Sequence, residues 1–200
     1  MNQQEFWNEK FSRDGYLYGK EPNQFLTICY NNFKKSQRVL CLGEGEGRNA
    51  VFLAKKGYEV VALDASDIAV KKLETFAKEE NVNIKTRCLD LNEWVPKKKY
   101  GAIIMTYLHL LPKDKISLIN KVEESLKHQG FFVAEVFSKS QILNSSGGPK
   151  DSDLLYEVDD FRNALKHCII HKLEEVDVDL DEGKGHKGKA SVIRIIAQKN

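Results

Sequence analysis

The chain has 200 residues, of which 42% are hydrophobic, and this composition can fill one domain with a sizeable core. Its formal net charge is only +2, from 31 basic and 29 acidic side chains, so the total charge does not predict a basic surface for a nucleic-acid backbone. The N-terminus lacks the apolar stretch of a signal peptide, and no run approaches the roughly 18 apolar residues of a membrane span. These features together predict a cytoplasmic protein.

The four cysteines, Cys29, Cys41, Cys88 and Cys168, are widely spaced along the chain. Because no CxxC pair is present, neither a zinc site nor a disulfide framework is expected, and no metal is predicted. Cys41 and Cys88 stand inside apolar, strand-like runs, which predicts that both are small buried side chains.

In chain order, the apolar pattern predicts an alternation of helices and strands. Two short helices, over 3–11 and 22–35, come first. Strands are predicted at 38–43, 58–64, 83–90, 100–108 and 131–137, with helices at 49–56, at 67–80 and from about Ile116 to a stop at Gly130. Nearly continuous apolar strands that alternate with helices are typical of a parallel sheet covered on both faces.

The last third of the chain shows a different pattern. Residues 138–153 form a long polar loop, a candidate lid over a binding site. Residues 173–180 mostly alternate between apolar and polar side chains, and 190–198 form a second strand after a glycine-rich connector. Two such strands predict an antiparallel hairpin at the edge of the sheet. The predicted fold is therefore α/β, with five parallel strands and a C-terminal hairpin.

A glycine-rich turn follows the first strand. Gly43, Gly45 and Gly47 allow the backbone to turn sharply and approach a ligand closely. A dinucleotide fingerprint would need glycine at Arg48, and the Walker pattern is absent. Asp64 ends the second strand about 20 residues after the turn, where an acid can bind both hydroxyls of a ribose.

The charge of this turn discriminates between nucleotide ligands. Glu44 and Glu46 would face a pyrophosphate with like charge, at a cost of about 4 kcal/mol per pair at ~4 Å and an effective dielectric of ~20. S-adenosylmethionine has no phosphate and carries two cationic groups, a sulfonium and an ammonium. The turn thus favours S-adenosylmethionine over NAD. The alternative is that both glutamates point to solvent and the glycines only form a tight turn.

Five segments carry a family resemblance: "FWNEKFSRDGYLYGKEPNQFL", "VLCLGEGEGRNAVFLAKKGYEVVALDAS", "TYLHLLP", "GGPKDSDLLY" and "DEGKGHKGKASVIR". Over nearly its full length the chain resembles the small class I S-adenosylmethionine-dependent methyltransferases, in particular the tellurite-resistance group related to thiopurine methyltransferases. The resemblance implies a Rossmann-like three-layer sandwich with a seven-stranded, mostly parallel sheet. It also implies one domain over 1–200, with an N-terminal helical cap (1–37), a cofactor-binding core (38–137), and a lid loop with the hairpin (138–200).

By position, the resemblance implies a set of cofactor-binding residues: Trp7, Tyr18, Gly43, Glu44, Gly45, Arg48, Asp64, Ala65, Asp90, Leu91 and Thr106. Within this set Asp64 would hold the ribose, Asp90 with Leu91 the adenine, and Thr106 would lie near the methionine moiety. For the N-terminal aromatic residues the alternative is a hydrophobic cap on the first helix.

The chain departs from its relatives in the first strand and turn. Cys41 stands where many relatives carry an acid, and Glu44 stands where many carry a cysteine. The acid is thus displaced by three residues, which suggests that Glu44 pairs with the ammonium of the cofactor.

Three residues are candidates for work on the substrate: His186, Arg194 and His109. The resemblance implies a catalytic role for His186, although its spacing alone also fits an exposed loop histidine; Lys187 follows it where relatives often have arginine. Arg194 is either an anion handle or part of a structural ion pair. His109 follows the fourth strand, where acceptor-facing residues usually lie, or is a packed histidine.

The predicted function is methyl transfer from S-adenosylmethionine to a small molecule. A thiol or a chalcogen oxyanion such as tellurite or selenite is the acceptor that the resemblance suggests. The alternatives are a non-catalytic S-adenosylmethionine-binding regulator and an NAD-binding oxidoreductase. The motif [DN]PP[FY] of enzymes that methylate base amino groups is missing after the fourth strand, so no nucleic-acid partner is expected. No membrane partner is expected, and the predicted state is a monomer or a weak homodimer.

Overall fold

The computed structural model describes residues 2–34 and 37–200. In this part of the chain the α-helices are Gln3–Phe11 (α1), Gln24–Cys29 (α2), Arg48–Lys55 (α3), Asp67–Glu79 (α4), Pro112–Ser125 (α5) and Val158–Ala164 (α6). The strands are Arg38–Leu42 (β1), Glu59–Asp64 (β2), Ile84–Cys88 (β3), Tyr100–Thr106 (β4), Leu126–Phe137 (β5), Cys168–Glu182 (β6) and His186–Lys199 (β7). Every helix in these two ranges is too short or too polar to cross a lipid bilayer.

The strands form one sheet in the order β3-β2-β1-β4-β5-β7-β6. The first five run parallel, and β7 is antiparallel to both of its neighbours, β5 and β6. The predicted seven-stranded, mostly parallel sheet with a C-terminal antiparallel hairpin is therefore confirmed. The hairpin also lies where it was predicted, with β6 at the edge of the sheet.

Alternation along the strands places the core on both faces of the sheet. In β1, Leu40 packs on the side of α5 and α6, whereas Cys41 packs on the side of α2, α3 and α4. Both side chains are fully buried, as a strand covered on two faces requires. Helix, sheet and helix thus form the predicted three layers.

The boundaries of two predicted helices are wrong. The helix expected to stop at Gly130 ends at Ser125, because Leu126 already pairs with Tyr100 of β4 and a bulge follows before the regular pairing resumes. The spacing of Leu126 in the sequence fits either a continuing helix or the start of a strand, so it does not distinguish the two. The helix expected over 22–35 ends at Cys29 and continues as a 3₁₀ turn, Tyr30–Asn32. The end predicted for it at residue 35 lies outside the described residues.

Two further differences concern edges and loops. Cys88 is exposed, contrary to the prediction, because β3 is the outer strand of the sheet.

The polar segment 138–153 contains two 3₁₀ turns, Lys139–Leu143 and Ser152–Leu154, and α6 follows it without having been predicted. The fully buried Gln141 anchors this loop, since its amide donates to Gly147 O at 2.9 Å and its oxygen accepts from Ser191 N at 2.8 Å.

Candidate active site

A cavity of about 740 Å³, partly open to solvent, lies at the carboxyl ends of the parallel strands. The strand order reverses between β1 and β4, and ligands bind at such switch points in open α/β sheets. The cavity is lined by Gln3, Trp7, Phe11, Tyr18, Gly43, Glu44, Gly45, Arg48, Asp64, Ala65, Asp90, Leu91, Thr106, Tyr107, Leu108, His109, Leu110 and His186. Every predicted cofactor-binding residue is in this lining, together with His109 and His186.

The glycine-rich turn needs glycine for reasons of both space and backbone conformation. Gly43 has φ +60°, and a Cβ there would lie 2.6 Å from Leu108 Cδ1. Gly47 has φ +102°, and a Cβ there would lie 2.7 Å from Leu73 Cγ. Larger residues would strain the backbone at both positions and collide with Leu108 of the cavity lining or with Leu73 of the core.

The first acid of the turn, Glu44, faces the cavity. Its Oε1 accepts hydrogen bonds from Asn49 N at 3.0 Å and Ala50 N at 2.7 Å, at the start of α3. Its side chain is buried, so the alternative in which the glutamates point to solvent is wrong. Burial raises the pKa of Glu44 to about 7, since the cost of desolvation outweighs these hydrogen bonds and the charge of Arg48.

The second acid, Glu46, has a structural role. It is buried outside the cavity lining, where its Oε1 pairs with Lys72 Nζ at 2.8 Å and its Oε2 accepts from Leu17 N at 2.6 Å. These contacts fasten the N-terminal segment to α4. Only one of the two acids in the turn is therefore available to a ligand in the cavity.

Carboxylates at the ends of β2 and β3 complete the acidic side of the cavity. Asp64 accepts from Gly45 N at 2.7 Å and Ser66 N at 2.8 Å, which fixes its orientation. Burial raises the pKa of Asp64 to about 6 in spite of these bonds. Asp90 lies further out and is half-buried.

Aromatic side chains from the N-terminal segment cover the cavity. Trp7 stacks on Phe11, with ring centroids 5.5 Å apart, and on His109, with centroids 6.0 Å apart. The Tyr18 ring lies 4.4 Å from that of His186. Trp7 and Tyr18 thus form a hydrophobic cap, and the same two side chains line the cavity. A cap on the first helix and a place in the cavity wall are therefore not exclusive alternatives.

His186 is buried, with only 2% of its surface exposed, because the predicted connector is largely strand and only residues 183–185 form the turn. The interpretation as an exposed loop histidine is wrong. Its Nδ1 lies 3.2 Å from Oε2 of Glu182. Burial would raise the pKa of Glu182, but His186 and Arg48 outweigh that effect and lower it to about 2. Since this carboxylate is ionised and can only accept, Nδ1 carries the proton and Nε2 is the basic nitrogen.

A buried polar network holds the histidine in place. Glu182 Oε2 also accepts from Arg48 Nη2 at 2.9 Å. Asn23 Nδ2 donates to both Glu182 Oε1, at 3.3 Å, and Glu135 Oε1, at 2.6 Å. The N-terminal segment, α3 and the β6–β7 hairpin are therefore joined behind the cavity.

Arg194 is not brought to the cavity. Its Nε donates to Glu135 Oε2 at 2.6 Å, and its guanidinium lies 5.0 Å over the Phe25 ring. This placement matches the structural ion pair, the second of the two roles considered for it. His109 does line the cavity, but it is packed between Trp7 and Phe137, and burial lowers its pKa to about 3.

The match of a family model described as "Tellurite resistance protein TehB" covers residues 27–140, more than half of the chain. The chain belongs to the TehB family. It is similar to a "Probable S-adenosyl-L-methionine-dependent methyltransferase TehB" of Haemophilus influenzae (strain 10810), with 30% identity over 96 residues, 47% of this chain and 34% of that protein. The chain spans about a third of the length of the curated TehB relatives it matches.

Two longer matches extend over most of the chain. A "Ubiquinone biosynthesis O-methyltransferase" of Rickettsia akari is 25% identical over 190 residues, 90% of this chain and 76% of that protein. The crystal structure of TehB from H. influenzae superposes with a TM-score of 0.75 at 19% identity, over 100% of this chain and 68% of that one. The predicted family and fold are confirmed, and the predicted enzyme class and cofactor agree with the names of these relatives.

Several residues of this TehB-family site were missed in the sequence. Gln3 and Phe11 belong to α1, and Tyr107, Leu108 and Leu110 follow β4 in the segment "TYLHLLP". Tyr107 has φ +51°, a conformation that is rare for a bulky residue and often marks functional sites. The signal that could have found the last three is their position directly after a buried parallel strand.

The loop that covers His186 tolerates only glycine at residue 147. With φ +129°, a Cβ on Gly147 would lie 2.5 Å from Gly185 O and 2.7 Å from His186 Cδ2. Gly147→Ala is expected to lower the free energy of unfolding by about 3 kcal/mol in a urea titration. The matched control is Gly57→Ala, at φ +89° with no atom within 4 Å, which should cost about 1 kcal/mol. Equal losses would contradict the packing described here.

Proposed function

We propose that this TehB-family chain transfers a methyl group from S-adenosylmethionine to a small-molecule acceptor. The observation that carries the proposal is the negative charge of the cavity. Three carboxylates, those of Glu44, Asp64 and Asp90, line this one space. Arg48, the single arginine or lysine among the described residues of the lining, is neutralised by Glu182. A site with this charge suits a cationic ligand and penalises a pyrophosphate.

The residues present fit the parts of this cofactor. Asp64 is proposed to hold the ribose hydroxyls, and Asp90 with Leu91 the adenine. Glu44 and Thr106 then lie toward the methionine end, with Glu44 as the partner of the ammonium. When bound, the cofactor supplies a methyl group that its sulfonium already activates, so the protein needs mainly to align the acceptor with it.

His186 is proposed as the base for acceptors that must lose a proton. Burial lowers its pKa, so the imidazole is neutral near pH 7, and its bond to Glu182 leaves Nε2 free to accept a proton. Trp7, Phe11 and Tyr18 exclude water from the reacting groups. The proposed acceptor class is a thiol or a chalcogen oxyanion, and residues 1–200 are proposed to act as one methyltransferase domain.

Calorimetry and a transfer assay test this proposal together. S-adenosylhomocysteine is expected to bind while NADH does not, and a methyl-labelled cofactor is expected to label members of a panel of thiols and chalcogen oxyanions. Binding of NADH without S-adenosylhomocysteine would favour an oxidoreductase. Binding of S-adenosylhomocysteine without transfer to any acceptor would favour a regulator.

The affinity for S-adenosylhomocysteine is expected to rise with pH between 6 and 7.5. The pKa of Glu44 is raised from 4.5 to about 7, and only its anionic form attracts the ligand's ammonium, so acidification removes the attraction. The ionised fractions of Glu44 and Asp64 together predict a rise of about 15-fold, measured by calorimetry.

Glu44→Gln provides the matched control, because the amide oxygen can still accept the backbone hydrogen bonds at the start of α3. In this variant the affinity is expected to fall about 10-fold or more at pH 7.5. The pH dependence should shrink to the roughly 2-fold contribution of Asp64. An unchanged affinity would refute the role assigned to Glu44.

A further inference from the structure

A second depression, of about 1400 Å³ and open to solvent, adjoins the cofactor cavity and is called the vestibule here. It is bounded by α1, by residues 147–150 and by residues 184–185. Gln3, Trp7, Tyr18 and His109 line both spaces and form the wall between them. The two spaces therefore adjoin along this wall.

The vestibule has the opposite charge to the cavity. Lys10, Arg13, Lys150 and Lys184 line it, and among the described residues of its lining there is no carboxylate. In residues 2–34 and 37–200, none of these four side chains forms an ion pair within 4.0 Å. All four are exposed, so their charges act on solutes in the depression. The excess of positive charge is local to the vestibule, since the whole chain has a formal net charge of only +2.

Backbone hydrogen bonds hold the walls of the vestibule together. Lys184 N and Gly185 N both donate to Leu17 O, at 3.0 and 3.1 Å. Lys187 N donates to Ser146 O at 2.9 Å, which ties the loop beside residues 147–150 to the hairpin. The depression is thus formed before any ligand binds, which reduces the entropy cost of binding.

We propose that the vestibule binds the anionic part of an organic methyl acceptor whose nucleophile reaches into the cofactor cavity. This inference rests on the proposed function. An anion placed inside the cavity would meet Glu44, Asp64 and Asp90, whereas in the vestibule it meets four cations. The acceptor class is therefore a thiol that carries carboxylates or a similar anionic group remote from its sulfur.

Calorimetry on the S-adenosylhomocysteine complex tests this binding without relying on turnover. Mercaptosuccinate, a dicarboxylate thiol, is expected to bind at least 10-fold more tightly than its diamide. The preference should weaken as salt is raised from 50 to 300 mM, because the four cations are exposed. In a Lys10→Glu/Lys184→Glu double variant it should disappear. In the matched control Lys98→Glu, an exposed lysine before the start of β4, it should persist.

The outcomes separate the two proposals. If S-adenosylhomocysteine binds normally but mercaptosuccinate and its diamide bind equally, the vestibule proposal is overturned and the proposed function stands. The vestibule proposal is also overturned if selenite alone binds and the double variant does not alter its affinity. If S-adenosylhomocysteine itself does not bind, the proposed function fails and the acceptor proposal fails with it.

Discussion

His186→Ala is expected to lower kcat for methyl transfer to a thiol by about 10²–10⁴-fold. The imidazole lines the cavity, and its bond to Glu182 leaves Nε2 as the nitrogen that accepts the acceptor's proton. The affinity for S-adenosylhomocysteine should stay within a few-fold of the original, because Glu44, Asp64 and Asp90 are unchanged. Fixed-time assays with a methyl-labelled cofactor measure kcat, and calorimetry measures the affinity for S-adenosylhomocysteine.

Two further variants distinguish catalysis from packing. Glu182→Gln keeps the shape of the side chain but removes the charge that orients the imidazole, so the pH profile of kcat is expected to shift as well as its magnitude. His171→Ala, an exposed histidine of β6, should leave kcat unchanged. If His186→Ala retained full activity in a protein of normal stability, the proposed base would be ruled out.

Glu135→Ala is expected to lower the free energy of unfolding by about 3–5 kcal/mol. The Glu135 carboxylate, with 1% of its residue surface exposed, accepts hydrogen bonds from Asn23 and Tyr107, each at 2.6 Å, and pairs with Arg194 at 2.6 Å. Removal of the carboxylate leaves a partly buried guanidinium and two polar groups without their partner. Urea titrations of the two proteins at one pH measure the loss.

Glu175→Ala serves as the control for Glu135→Ala. Glu175 lies exposed on β6, so its loss should change the free energy of unfolding by no more than about 0.5 kcal/mol. A loss below about 1 kcal/mol for Glu135→Ala would show that Arg194 is not held by this carboxylate. It would also reopen the interpretation of Arg194 as an anion handle.

The sheet and the residues that line the cavity at the strand ends were predictable because both follow from local patterns. Apolar runs of strand length, separated by helices, permit few arrangements other than a parallel sheet covered on both faces. Residues that directly follow such strands meet at the carboxyl edge, which is why Asp64, Asp90 and Thr106 line one cavity. The glycine-rich turn is similarly local, since its positive φ angles depend on glycine itself.

The limits of helices and the exposure of single residues were less predictable. Leu126 fits a helix by spacing, yet it belongs to β5 because it pairs with Tyr100. Cys88 stands in an apolar run, yet it is exposed because β3 has a neighbour on one side only. For Leu126 the outcome depends on pairing with β4, which is distant in the sequence. For Cys88 it depends on the lack of a further strand beside β3 in the described sheet.

The sequence by itself determined the α/β architecture and the acidic turn after β1, since these depend on residue type and spacing. The tertiary structure alone decided what each charge does. Glu46 is neutralised by Lys72, Arg194 by Glu135, and His186 is buried beside Glu182. The pairing of Arg194 with Glu135 depends on how β7 packs against β5. Glu182 and His186 face each other across the β6–β7 turn, and packing of the hairpin against the rest of the chain buries them. The separation of an acidic cavity from a basic vestibule arises in the same way, because burial and long-range contacts are set by packing and not by spacing.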